Sequence, residues 1–216
     1  MTLKLYSHPL SSFCQKVLTV LYENDTPFEA VRVDFGDTAS RKAFLELWPM
    51  GKIPVLVDTA RDWQVAEASI IIEYLAQHYP GPVRLLPSDP DKARQTRFRE
   101  RFFDLYVAVP MQKIVLDRHR PEGSHDRFGV DEARKALKTA LDMIEEDVGS
   151  KTWAMGEDFT AADCAAAPAL WYANWVMPFG DTHKKTTAYF ERLKARPSFA
   201  RAAKEAEPYH GNFPRE

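Results

Sequence analysis

Only two cysteines occur, Cys14 and Cys164, far apart along the chain, so no disulfide framework can staple the fold. No uninterrupted apolar stretch approaches membrane-spanning length, and no membrane partner is expected. Charge of one sign is not in excess: the formal net charge is −2 and the sequence pI about 6.3. Divided at Pro80, the first part carries 7 basic and 10 acidic residues and the remainder 22 and 21. Neither part offers the basic field that would point to nucleic acid. Six histidines (His8, His78, His119, His125, His183 and His210) show no HxxxH or CxxC pairing, so no metal is expected. Internal repeats and low-complexity tracts are missing as well. Met1 to Tyr6 run into a strand pattern without the zones of a signal peptide, which makes a reducing cytoplasm the expectation.

What remains is an ordinary globular composition, 45% apolar and 28% charged over 216 residues, enough for one or two domains. Alternation over Leu3 to Tyr6 predicts a strand, and Pro9-Leu10-Ser11-Ser12 a turn into a helix carrying Phe13, Val17, Leu18 and Leu21. Val31 and Val33 suggest a second strand, and a short helix follows Asp37-Thr38 and ends near Trp48-Pro49. Ile53 to Val57 and Gln64 to Ala66 read as a hairpin, then Glu67 to Tyr79 as a helix stopped by Pro80-Gly81-Pro82.

Beyond Pro90 helical periodicity takes over. Lys92 to Arg120 reads as one long helix bent at Pro110, Val130 to Val148 as a second and Ala161 to Val176 as a third. Thr160-Ala161-Ala162-Asp163 has the form of a capping box, with Phe159 as its hydrophobic staple. Arg94, Arg97, Arg99 and Arg101 form a basic cluster whose ordinary reading is a solvated helix face; an anion site or subunit contact is the other. Asn212 to Glu216 read as a loose tail.

The segment Gly51-Lys52-Ile53-Pro54-Val55-Leu56 carries the most chemistry. A proline at a strand start cannot donate to the ladder, and an X-Pro bond readily becomes cis, so the backbone of Ile53 is left to pair with something else. Glu67 then stands at a helix start, where backbone N–H groups lack partners. Together the two segments can hold a small peptide-like anion.

Ile53-Pro54 with Glu67 resembles the glutathione site of the soluble glutathione S-transferases, of the serine-using phi, theta and zeta-like kind, and the likeness covers most of the chain. It implies a thioredoxin-like α/β N-terminal domain (1–80), a linker (81–90) and an all-α C-terminal domain (91–216). In that family the residue before the proline pairs with the cysteinyl backbone of glutathione, while the acidic residue and a following serine bind its γ-glutamyl end. Here Ala68 stands where the family usually has serine. Ser69, one helical position on and about 100° around the axis, is the candidate replacement hydroxyl. Lys52 could meet a glutathione carboxylate or be a solvated loop lysine.

Counted from Tyr6, Ser11 falls at the family's catalytic serine, with Ser12 as its neighbour and substitute. Cys14 as a low-pKa thiol and Tyr6 as a hydroxyl donor are weighed against it; a cysteine one turn deeper is more often a packing residue. The resemblance also implies a second-substrate pocket formed by Leu10, Phe103, Tyr106, Val107 and Met111, backed by Trp171 or Trp175. Glutathione as co-substrate and a homodimer complete the expectation. The expected activity is conjugation of glutathione to a small apolar electrophile. Glutathione-dependent isomerisation or peroxidation and a non-catalytic binding module are the alternatives.

Overall fold

Leu3 and Leu5 point inward from β1 (Leu3–Ser7) while Lys4 and Tyr6 take the other face, the period-two pattern of a half-buried strand. The structure, a computed structural model, describes residues 2–214. β1 runs parallel to β2 (Glu29–Arg32) and antiparallel to β3 (Val55–Asp58), which pairs with β4 (Trp63–Ala66), giving the sheet order β2-β1-β3-β4. In register, Leu5 faces Ala30 on one side and Leu56 on the other. Helix α1 (Ser12–Glu23) makes the crossover from β1 to β2, α2 (Thr38–Leu47) follows under an Asp37 cap, and α3 (Ala68–His78) closes the unit. This is the thioredoxin-like arrangement that the pattern predicts. Val17, Leu21, Leu56, Ile71 and Leu75 fill one side of the sheet. Val33, Phe44 and Val55 form a smaller core.

From Pro90 on, the regular elements among the described residues are helical: α4 (Pro90–Phe102), a π-helical turn (Phe103–Ala108), α5 (Val109–Asp117), α6 (Arg127–Asp147), α7 (Ala161–Val176), α8 (Lys184–Ala195) and α9 (Pro197–Ala206). Short 3₁₀ turns follow α6 and α9. The Thr160–Asp163 box is formed and opens α7 at its expected start. Asp163 is fully buried; its carboxylate accepts from the N–H groups of Thr160 and Ala154 and from the hydroxyl of Tyr189. α7, buried along most of its length, is the axis on which α1, α4 and α8 pack. Among the described residues no helix is long and apolar enough to cross a membrane.

Four expectations need correction. The long helix ends at Asp117, and its irregularity lies ahead of Pro110: the Val109 N–H bonds to the Asp104 carbonyl, five residues back. Pro110 has no N–H for the carbonyl of Tyr106 and its ring crowds that carbonyl, so a widened turn upstream takes up the conflict. α6 begins at Arg127, capped by Asp126, rather than at Val130. α8 and α9 were not anticipated, because their polar sequences show only a narrow stripe, Tyr189, Phe190, Leu193, Phe199 and Ala202, that is buried. Nor is the tail loose where it is described. Phe213 is buried and stacks on Tyr172, and Arg118 donates to the Pro214 carbonyl at 2.8 Å. Residues 215 and 216 of that expectation lie outside the described residues.

Candidate functional site

The loop between β1 and α1 is held from several directions. The Ser11 N–H bonds to the His8 carbonyl at 3.0 Å, the Leu10 N–H to His8 Nδ1 at 3.2 Å, and Gln15 Nε2 reaches back to the Pro9 carbonyl at 2.8 Å. Gln15 Nε2 also meets the Tyr172 hydroxyl of α7 at 2.8 Å, so the loop is tied to the helical domain. Ser11 is the N-cap of α1: its backbone is extended, and its Oγ accepts from the Cys14 N–H at 3.4 Å. An accepting hydroxyl still has its own hydrogen to donate. Ser12 is buried, and its Oγ meets no partner among the described residues.

Cys14 is fully buried, and burial pushes its thiol up to about 12, the opposite of what an activated thiol needs. Tyr6 packs its ring towards Phe44 in the small core. Burial holds the His8 imidazole below its usual range, and Arg32 adds to the effect.

At this same end of the sheet, where Tyr6 of β1 lies opposite Val55, the Ile53–Pro54 peptide is cis, and β3 starts only at Val55. The Ile53 N–H and C=O make no hydrogen bond among the described residues. Glu67, at the N-cap of α3, has φ +67° in the left-handed region, and its exposed carboxylate makes neither a capping bond nor an ion pair among the described residues. A non-glycine residue there is held by its surroundings, a state that clusters at binding sites.

These segments border one cleft of about 260 Å³ between the sheet domain and α4–α5. Lys52, Ile53, Pro54, Glu67, Ala68 and Ser69 are all brought to it, joined by Phe13 and Trp48. The facing wall is Arg101, Asp104, Leu105, Val109 and Gln112. Ser11 and Ser12 are not among the wall residues; Phe13, next along α1, is.

Of the expected second-substrate residues, Phe103, Val107 and Met111 are buried in the core, Leu10 packs at its edge, and Tyr106 is half exposed; none lines this cleft. Trp171 and Trp175 belong to an aromatic cluster with His210. The helix presents Leu105, Val109 and Gln112 to the cleft, not the neighbouring stripe of Phe103, Val107 and Met111. Period alone cannot choose between two apolar stripes, and the π turn shifts the register between them.

Sequence reasoning also missed the floor. Lys16, fully buried on α1, forms ion pairs with Glu100 and with Asp104, the latter at 2.7 Å, and bonds to Ser69 Oγ at 3.3 Å. Burial raises the Asp104 carboxyl above its usual range and the Glu100 charge adds to this, while Lys16 and Arg101 oppose it. The arginine cluster is the solvated helix face of its ordinary reading, with Arg94, Arg97 and Arg101 exposed, but each guanidinium is paired. Arg94 pairs with Asp91, Arg97 with Glu73, Arg99 with Asp147 and Arg101 with Asp104. The pairs to Asp91 and Asp104 are three residues apart and locally readable, whereas those to Glu73 and Asp147 and the Lys16 pairs are long-range and no local pattern encodes them.

Residues 5–83 match the glutathione S-transferase N-terminal domain family and residues 105–197 the glutathione S-transferase C-terminal domain family. The chain is 34% identical to glutathione S-transferase 3 of Zea mays over 91% of each sequence. It is 30% identical to a stringent starvation protein A homolog of Haemophilus influenzae, covering 94% of this chain and 91% of that one. Among solved structures it superposes with a TM-score of 0.79 and 30% identity on a glutathione S-transferase of Methylobacterium radiotolerans in complex with glutathione sulfonate, covering 93% of this chain and 94% of that one.

Proposed function

The chain belongs to the glutathione S-transferase family, and on that premise we propose that it binds glutathione in this cleft and conjugates its thiolate to a small apolar electrophile. The observation that carries the reading is the unpaired backbone of Ile53 beside the cleft, with the free carboxylate of Glu67 on the same wall. A peptide backbone pairs with the first, and an ammonium group with the second.

A cysteinyl thiol has a reference pKa of about 8.5, so little of it is thiolate at neutral pH. The Ser11 hydroxyl, with a hydrogen left to donate at the start of α1, stabilises the anion, and the helix dipole adds to it. The thiol proton leaves to solvent. The sulfur lone pair then forms a C–S bond as the leaving group departs with its electron pair. Phe13, Leu105 and Val109 supply apolar wall for the electrophile. The protein acts in the cytoplasm as a homodimer, joined through α3 and α4, where Ile70 and Phe98 are exposed.

Turnover of a reference aryl halide at saturating glutathione tests the proposal, and no turnover by the wild-type protein sinks it. A second reading, a binding module without turnover, is favoured by the 30% identity to a stringent starvation protein A homolog. Calorimetric binding of glutathione without conjugation, isomerisation or peroxidation of any substrate tried selects it.

A further inference from the structure

We propose that Arg101, at the end of α4, takes the place of the serine that is missing at Ala68 and binds the α-carboxylate of the γ-glutamyl group. Glu67 takes its ammonium group. This rests on the reading of the cleft as a glutathione site.

No hydroxyl is left to do the work in the corner formed by residues 67–69. Ala68 has none, and the Ser69 hydroxyl is fully committed. It donates to Glu100 Oε1 at 2.5 Å and accepts from Lys16 Nζ at 3.3 Å and Arg101 Nη1 at 2.9 Å. One hydrogen and two lone pairs are its whole capacity.

Arg101 is differently placed. Its side chain is 46% exposed and lines the cleft, and its hydrogen bonds among the described residues all come from Nη1, to Ser69 Oγ and to Asp104 Oδ2 at 3.0 Å. The N–H groups of Nε and Nη2 remain for a ligand. Both acceptors that hold Nη1 are themselves held by the buried Lys16, so the guanidinium is positioned before anything binds.

The cleft therefore sets an unpaired carboxylate, Glu67, and a fixed cationic fork, Arg101, on facing elements. That pair is the complement of an amino-acid zwitterion, and a planar fork suits a carboxylate better than a hydroxyl does. Lys52, next to Ile53, is left for the glycyl carboxylate.

The test is calorimetry with two ligands, glutathione and its analogue 4-aminobutyryl-cysteinylglycine, which lacks only the γ-glutamyl α-carboxylate. Arg101→Gln should weaken glutathione about tenfold or more, the loss of one charge-assisted contact, and leave the analogue almost unchanged. Adding Ala68→Ser to Arg101→Gln should recover several-fold of the loss, whereas Ala68→Ser alone should change little. Circular dichroism and a urea midpoint confirm that the variants are folded. Equal glutathione affinity in wild type and Arg101→Gln overturns the inference while the family reading of the cleft stands, as does an equal loss for both ligands. Failure of the wild-type protein to bind glutathione at all overturns both.

Discussion

Lys16 Nζ stands 2.7 Å from Asp104 Oδ2, an ion pair that bridges the sheet domain and the helices with neither side chain more than 5% exposed. Glu100 shares the same ammonium group, and Asp104 has a second cation in Arg101. Lys16→Met leaves both charges buried without the ammonium, and we expect a loss of about 3–5 kcal/mol in urea unfolding at neutral pH. The sign of the pH dependence follows from the raised Asp104 carboxyl. The folded state takes up that proton more readily than the unfolded chain, so acid relieves the uncompensated charge. The deficit of the variant should narrow as pH falls towards the ordinary carboxylate range; a constant deficit would show that lost packing, not charge, is responsible.

Asp163 makes the same kind of demand on the helical domain. Its two oxygens accept from Ala154, Thr160 and Tyr189, with distances of 2.7–3.1 Å. Asp163→Ala strands all of these donors in the interior. The expected cost is at least about 3 kcal/mol, read as a lowered urea midpoint with little change in m.

How far the sequence shows this molecule depends on the range of the interaction. The Thr160–Asp163 box and the start of α7 were readable because a cap and its helix lie within four residues. Ile53-Pro54 and Glu67 were readable because each announces its backbone chemistry locally, the one by a missing donor and the other by an acid at a helix start. Ser69 was not. Its hydroxyl looked available, yet three partners from α1 and α4 consume it. Phe103, Val107 and Met111, and likewise Leu105, Val109 and Gln112, recur at steps of three or four that fit one helix face, and only packing against α6 and α7 decides which stripe turns inward. Phe13 and Trp48 were read as ordinary apolar positions, since nothing local distinguishes a cleft wall from a core.

The two cysteines give a test that is independent of catalysis. Both are buried and free, and burial lifts Cys14 from 9.0 to about 12. Neither should react with a disulfide reagent in the native protein at neutral pH, and both should react in denaturant. Because the folded state holds the thiol proton more tightly, this contribution to stability is complete below pH 9 and is lost as pH rises towards 12. Rapid labelling of Cys14 in the folded protein would contradict its placement.

Ser11 bears the heaviest chemical load of any single proposal, and its geometry separates two roles that one substitution would confuse. As N-cap it accepts from Cys14, so Ser11→Ala should cost about 1 kcal/mol of stability whether or not the protein is an enzyme. As sulfur donor it should contribute about 1.5–3 kcal/mol to the thiolate, and its loss should lower kcat/KM by roughly 10- to 100-fold at neutral pH. The pH profile distinguishes the two. A bound thiol whose pKa is lowered stays active on the acid side, so the variant should lose activity there first and approach wild type above a pH of about 8.5. A uniform loss across pH would mean that only the cap was broken. Ser12→Ala is the control: its buried Oγ has no partner among the described residues, so removing it should leave stability unchanged or slightly higher. If Ser12→Ala and not Ser11→Ala moves the pH profile, the sulfur is held by Ser12, and Ser11 serves α1 alone.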